Sequence, residues 1–134
     1  MHLTKKASYG LIAALELAAN TNAGPLSAGR IAEKYALPVP FMEKILHQLR
    51  QSGLVAAQQG RGGGYTLVDD PMTVSVRKVL ESLDESLDLV GCIAANSGCH
   101  LTAICPTRFA WGKIDQRFKG LLDSLSLQDL LADK

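Results

Sequence analysis

Pro38-Val39-Pro40-Phe41-Met42-Glu43-Lys44-Ile45-Leu46-His47-Gln48-Leu49-Arg50-Gln51-Ser52-Gly53, running on into Leu54-Val55-Ala56-Ala57-Gln58-Gln59-Gly60-Arg61-Gly62-Gly63-Gly64-Tyr65-Thr66-Leu67-Val68, decides the fold. In the first half Phe41, Met42, Ile45, Leu46 and Leu49 recur with the helical period. Pro38 or Pro40 opens that helix, where a missing N–H costs little, and Gly53 stops it just after Ser52. In the second half residues 54–59 and 65–68 are short strand candidates on either side of a glycine tip. A helix followed at once by a β-hairpin is half of a winged helix.

The residues upstream supply the other half. A helix is expected from Lys5 to about Asn20, with Leu3, Ala7, Leu11, Leu15 and Ala18 on one stripe. Asn20-Thr21-Asn22-Ala23-Gly24-Pro25 breaks it. Ser27 can cap a short second helix to about Tyr35 with Ile31 and Ala32 inward, and Ala36-Leu37-Pro38 forms the turn into the third. The fold class expected is therefore mainly α: a winged helix-turn-helix with a small β-hairpin wing.

In such a layout the second helix of the helix-turn-helix enters the major groove and its N-terminal residues reach base edges. Glu43 is the residue there suited to accept a hydrogen bond from a cytosine amino group. Lys44, His47 and Arg50, three residues apart, drift round the helix, where some can reach phosphates. Arg61 at the wing tip can enter the minor groove, and the glycines beside it let backbone N–H groups approach phosphates. The candidate DNA-binding set is Tyr9, Ser27, Val39, Pro40, Phe41, Glu43, Lys44, Arg50, Arg61, Gly62 and Gly63. The plainer reading is that residues 62–64 form only a tight hairpin and the charges are solvated. A strand–glycine–helix phosphate loop is ruled out, since a strand follows the glycines.

Downstream, after Asp69-Asp70-Pro71, a helix beginning at Thr73 or Ser75 carries Val76, Val79, Leu80 and Leu83. A long helix is expected from about Pro106 to Leu122. Trp111, Ile114, Phe118, Leu121 and Leu125 follow one another at spacings of 3, 4, 3 and 4, a heptad seam suited to a helix–helix interface. Ser126 and Asp129 suit the start of a last short helix. The chain divides into residues 1–70 (DNA-binding region), 71–105 (linker helix and cysteine loop) and 106–134 (dimerisation helix and short C-terminal helix).

Between those helices lie Cys92, Cys99 and Cys105, all three cysteines of the chain within 14 residues, with His100 directly after the second. The surrounding residues are small: Gly91, Ala94, Ala95, Asn96, Ser97 and Gly98. Thiolates grouped like this can converge on one soft metal centre. Three readings compete. The cysteines hold an iron–sulfur cluster; they bind zinc with His100, against which the intervals of six and five residues speak; or they are free thiols that sense oxidants or simply fill space.

The totals narrow the function classes. At 134 residues, with 47% apolar and 20% charged, the chain is an ordinary globular domain. No apolar run is long enough to span a bilayer and no secretory signal is evident at the start, so a cytoplasmic protein is expected, in which an odd set of cysteines points to metal or redox chemistry rather than disulfides. The net charge of +1 conceals an asymmetry. Residues 1–80 hold nine Lys/Arg against five Asp/Glu, a net +4, and residues 81–134 a net −3. The three histidines (2, 47 and 100) are scattered and no nucleophilic triad or carboxylate pair stands out, so no enzyme and no small-molecule substrate is expected.

Leu3-Thr4…Tyr9, Ile31-Ala32-Glu33, Glu43-Lys44-Ile45-Leu46, Leu49-Arg50, Gly53-Leu54-Val55 and Gly60-Arg61-Gly62-Gly63-Gly64-Tyr65 resemble the IscR/NsrR-type family of winged-helix regulators, and the cysteines and long helix extend the resemblance over the whole chain. It implies a homodimer joined through the long helix, with two reading heads on a pseudo-palindromic double-stranded operator. It implies a repressor controlled by an iron–sulfur cluster on Cys92, Cys99 and Cys105, 2Fe–2S with 4Fe–4S as the alternative, and a share in operator discrimination for Glu43. The chain also departs from the family pattern. Gln59 stands where a basic residue is common, Arg108 where IscR-like proteins carry a histidine, and Lys6-Ala7-Ser8 lacks the carboxylate of NsrR-like proteins; the first two cysteines are one residue further apart than usual. His100 is the candidate fourth ligand, with Ser8, Asn96 or an external ligand open. The alternative is a cluster-free regulator or protein-interaction module whose cysteines act as thiol switches.

Overall fold

The computed structural model describes residues 3–89 and 106–132. Along the chain run α1 (Lys5–Ala19), α2 (Ala28–Lys34), α3 (Val39–Gln51), β1 (Val55–Gln58), β2 (Gly64–Leu67), a 3-10 turn (Pro71–Thr73), α4 (Val76–Ser82), α5 (Arg108–Ser124) and α6 (Leu127–Ala132). Caps set most of these starts. The Thr4 hydroxyl accepts from the Ala7 N–H at 3.2 Å, Ser27 from Arg30 at 3.2 Å and Ser75 from Lys78 at 3.0 Å. Ser75, not Thr73, therefore begins α4. At α6 the box is reciprocal: Ser126 N–H to the Asp129 carboxylate and Asp129 N–H to the Ser126 hydroxyl, both 3.0 Å. In α3 the N-cap is Pro38 and Pro40 lies in the first turn, as expected from their fixed φ.

The core belongs mainly to α3. Met42, Ile45, Leu46 and Leu49 are at most 1% exposed, and each such burial is worth about 1.5–3 kcal/mol. On α1 the buried face is Ala7, Gly10, Ala13, Ala14, Leu17 and Ala18, rotated from the stripe expected from the larger residues. Leu3 is exposed, and Leu11 and Leu15 lie only on the rim of the core. The reason is close approach. A side chain at Gly10 would fall 2.1 Å from the Leu83 Cδ1, and Leu83 is wholly buried, so the small-residue face is the one that fits.

The wing is an antiparallel ladder with Val55 opposite Leu67 and Gln58 opposite Gly64. Leu26 adds a bridge on its other side: the Leu26 N–H donates to the Tyr65 carbonyl at 3.0 Å and the Tyr65 N–H to the Leu26 carbonyl at 2.8 Å. The hairpin is thus fastened to the residue preceding the Ser27 cap.

A second apolar cluster joins Ala7, Val76, Leu80 and Leu87 to Leu122, Leu125 and Leu130. Leu125 differs from the heptad expectation: it is the extended C-cap of α5, its carbonyl accepts from the Val76 N–H at 2.8 Å, and its side chain is half-buried within its own protomer. Packing of α4 and α6 recruits it. Trp111, Ile114 and Leu121 stay exposed and Phe118 half-buried on α5, where Phe109 is also exposed. Among the described residues no helix is long and apolar enough to cross a membrane.

Candidate nucleic-acid interface

With one face of α3 in the core, its other face carries Val39, Glu43, Lys44, His47 and Arg50 to the surface. The N-terminal turns of α1 and α3 flank an open groove of about 860 Å³, lined by Lys5, Tyr9, Pro38, Pro40, Phe41, Glu43, Lys44 and His47. The Tyr9 and Phe41 rings meet edge to face, with centroids 5.5 Å apart and planes at 88°, which holds the two helices in register. The groove therefore combines an apolar floor with a carboxylate acceptor and ammonium groups, the chemistry needed to meet a base edge and its flanking phosphates.

Five residues of the sequence-derived set come together there: Tyr9, Pro40, Phe41, Glu43 and Lys44. Val39 and Arg50 are exposed on the same helix without lining the groove, and Arg61 is exposed at the wing tip. The Ser27 hydroxyl caps α2. The glycines of the tip separate by role. A Cβ at Gly63 would fall 2.2 Å from the Gln58 carbonyl oxygen, and at Gly64 2.5 Å from the Leu26 carbonyl carbon, so the hairpin itself demands both. Gly62, at φ 71°, and Gly60, at φ 96°, have open space around them, leaving their backbones accessible. Lys5 was missed by the sequence-derived set. Its signal was a basic residue in the first turn of α1, but only the packing of α1 beside α3 turns that residue toward the recognition helix.

Lys34, another cation of the reading half, is engaged elsewhere. Its ammonium lies 3.0 Å from the Glu16 carboxylate, which also accepts from the Tyr35 hydroxyl. Hydrogen bonding to Glu16 raises both the Lys34 and the Tyr35 pKa above their ordinary values.

Cys92, Cys99, His100 and Cys105 lie outside the described residues. Among the described residues no three His, Cys, Asp or Glu stand together as a metal site.

A family model described as "Rrf2: Iron-dependent Transcriptional regulator" matches residues 3–133. The chain belongs to the Rrf2 family. The regulator named HTH-type transcriptional regulator IscR of Escherichia coli (strain K12 / DH10B) is 34% identical over 131 residues, covering 98% of this chain and 80% of the relative. Among solved Rrf2-like structures, CymR (YrzC), titled the global cysteine regulator of B. subtilis, superposes with a TM-score of 0.82 at 28% identity, over 100% of this chain and 98% of that one. IscR of T. potens superposes with a TM-score of 0.77 at 29% identity, over 99% and 88%. The winged-helix fold expected from the sequence is the fold observed. These relatives are transcriptional regulators rather than enzymes, and this Rrf2 protein is a DNA-binding transcriptional regulator.

Proposed function

We propose that this regulator is a homodimeric repressor of a pseudo-palindromic operator, and that an iron–sulfur cluster on Cys92, Cys99 and Cys105 controls its DNA binding. Residues 1–70 read DNA, 71–105 carry the cysteine run, and α5 pairs the subunits. The observation that carries the DNA half is the groove between α1 and α3, with Glu43 and Lys44 on the exposed face of a helix whose opposite face is the core. The sensing half is supported by the chemistry of the donor set, since thiolates are the usual ligands of such clusters. It is supported also by the iron dependence in the family description.

In the mechanism, Glu43 accepts from a cytosine amino group in the major groove while Lys44 and Arg50 neutralise phosphates and Arg61 enters the minor groove. The cysteine thiolates would hold the cluster, 2Fe–2S in first place, with His100 as fourth ligand; when bound, it supplies a redox-responsive centre. Loading or emptying this site shifts the protein between two states only as far as its affinities for them differ.

Glu43→Ala is expected to relax discrimination at one base pair by about 1–3 kcal/mol while changing overall affinity little, read by competition binding with operators altered one pair at a time. Uniform weakening on every duplex would remove Glu43 from base readout. A steep fall of affinity with salt accompanies DNA binding; a salt-insensitive affinity would favour a protein partner instead.

The test of the sensing half is anaerobic purification, a visible spectrum and iron and sulfide assays, repeated on Cys92→Ala. Charge-transfer bands with matching iron and sulfide, lost in the variant, are the expected result. The second reading is a thiol switch, supported by three cysteines placed within 14 residues of one another. A colourless protein whose operator affinity responds to a thiol oxidant would establish it and overturn the cluster.

A further inference from the structure

Residues 84–89 immediately precede the run that contains the cysteines, and within six positions they contact the N-cap of α1 and helices α1, α3, α4 and α5. Asp84, in the left-handed region at φ 59°, accepts through Oδ2 from the Gln48 Nε2 of the recognition helix at 3.0 Å. The Glu85 carboxylate accepts from the hydroxyl of Thr4, the N-cap of α1. Leu87 is 5% exposed, packed with Ala7, Val76 and Leu80. Asp88 Oδ1 lies 2.7 Å from the Lys119 Nζ of α5, and the Leu89 N–H donates to Asp115 Oδ1 at 3.3 Å. Lys119 also reaches Asp115 Oδ2 at 2.8 Å, and Asp115 is the one buried charged residue among those described.

We infer that residues 84–89 form a strap coupling the cysteine run to both the reading head and the dimer helix, with Asp84 and Lys119 as its positioning residues. The inference rests on the cluster-control reading above and names how that control reaches DNA. One end of the strap grips α3 beside its DNA face, and the other grips α5. A buried leucine between them prevents the ends from moving independently. The end contacts are few and polar, one at α3 and two at α5, and at least partly open to solvent, so a modest bias arriving from the cysteine run suffices to exchange them. Hydrogen bonds to Asp115 and then Asp88 raise the Lys119 pKa above its ordinary value, so the α5 grip stays charged throughout the physiological range.

The test measures operator Kd for the full chain twice, after reconstitution with iron and sulfide and free of cluster. Variants are Asp84→Gly, which removes the carboxylate but keeps the backbone conformation, Lys119→Met and the conservative Lys119→Arg. The wild-type ratio between the two states is expected to be about fivefold or more, in the usual range of allosteric coupling. It should fall to within about twofold of one in Asp84→Gly and Lys119→Met and recover in Lys119→Arg, while non-specific duplex affinity stays near wild type. Variants that weaken both states equally, keeping the wild-type ratio, would reduce the strap to scaffolding and overturn the inference with cluster control intact. A wild-type ratio of one would overturn cluster control itself and the strap with it. In cluster-free protein, Gln48→Ala and Lys119→Met should change operator affinity non-additively; strict additivity would show that the two ends are not connected.

Discussion

Gly64→Ala is expected to lower the thermal unfolding midpoint by roughly 10 °C and to loosen the wing enough to displace Arg61 from DNA. The new Cβ would lie 2.5, 2.6 and 2.7 Å from the Leu26 carbonyl carbon, its oxygen and the Ser27 nitrogen. All three are backbone atoms, so no rotamer change relieves the clash. The wing must swing away and release both hydrogen bonds between Leu26 and Tyr65, each worth about 1 kcal/mol. The backbone at Gly64, with φ 155°, adds about 1–3 kcal/mol for any residue bearing a Cβ. The sum is about 3–5 kcal/mol, a large part of the stability of a single domain. Gly62→Ala is the comparison. It meets nothing within 4 Å and carries only the strain of φ 71°, about 1–2 kcal/mol. Thermal melts of the two variants decide the matter: a Gly64→Ala loss no greater than that of Gly62→Ala would refute the steric account.

Ile114→Asp should convert the proposed dimer to monomer and weaken binding to a full operator by about 100-fold or more, leaving affinity for an isolated half-site unchanged. Ile114 is 47% exposed in the protomer, between Trp111 at 37% and Leu121 at 56%, with Phe118 on the same stripe. In a twofold interface the same patch faces itself, so one substitution places two carboxylates in the apolar seam. The loss on DNA follows from tethering: the second head binds at the effective concentration set by the first only while the seam holds. Because the position is already open to solvent, the protomer should melt near the wild-type temperature. Sedimentation and paired titrations of whole and half operators check this. A variant that remains dimeric would move the interface off this stripe.

Much of the reading head was legible without coordinates because its signals are short-range. A cap bonds to an N–H three residues on, a proline sets its own φ, and a heptad or helical period repeats within a few turns. Hence α2, α3, α4 and α6 begin at or next to residues whose chemistry announces them, and Glu43 and Lys44 fall on the open face of α3. Whole-chain likeness to Rrf2 regulators agrees with the winged-helix reading on the same ground: the local punctuation of helices, turn and hairpin is dense enough to specify one architecture.

What escaped the sequence depends on which backbones approach closely. Hydrophobicity along α1 favoured Leu3, Ala7, Leu11, Leu15 and Ala18 as the inner stripe; Ala7 and Ala18 are buried, but the rest of the inner face is Gly10, Ala13, Ala14 and Leu17, because Leu83 arrives 73 residues later to occupy the space over Gly10. The glycine tip reads as one feature, yet close backbone approach by Gln58 at Gly63 and by Leu26 at Gly64 separates the glycines the hairpin demands from Gly60 and Gly62, which are left open. Leu125 continues the heptad in sequence but turns inward, because the N–H of Val76 claims its carbonyl. Lys5 joins the recognition helix through the packing of α1, and residues 84–89 become a strap through partners at Thr4, Gln48, Asp115 and Lys119. The sequence by itself determined the elements and the winged-helix layout, since each follows from residues within a turn or a motif of one another. Only the tertiary structure decided which faces are buried, which glycines are obligatory and how residues 84–89 are tied to the reading head and α5, since those depend on contacts between residues far apart in the chain.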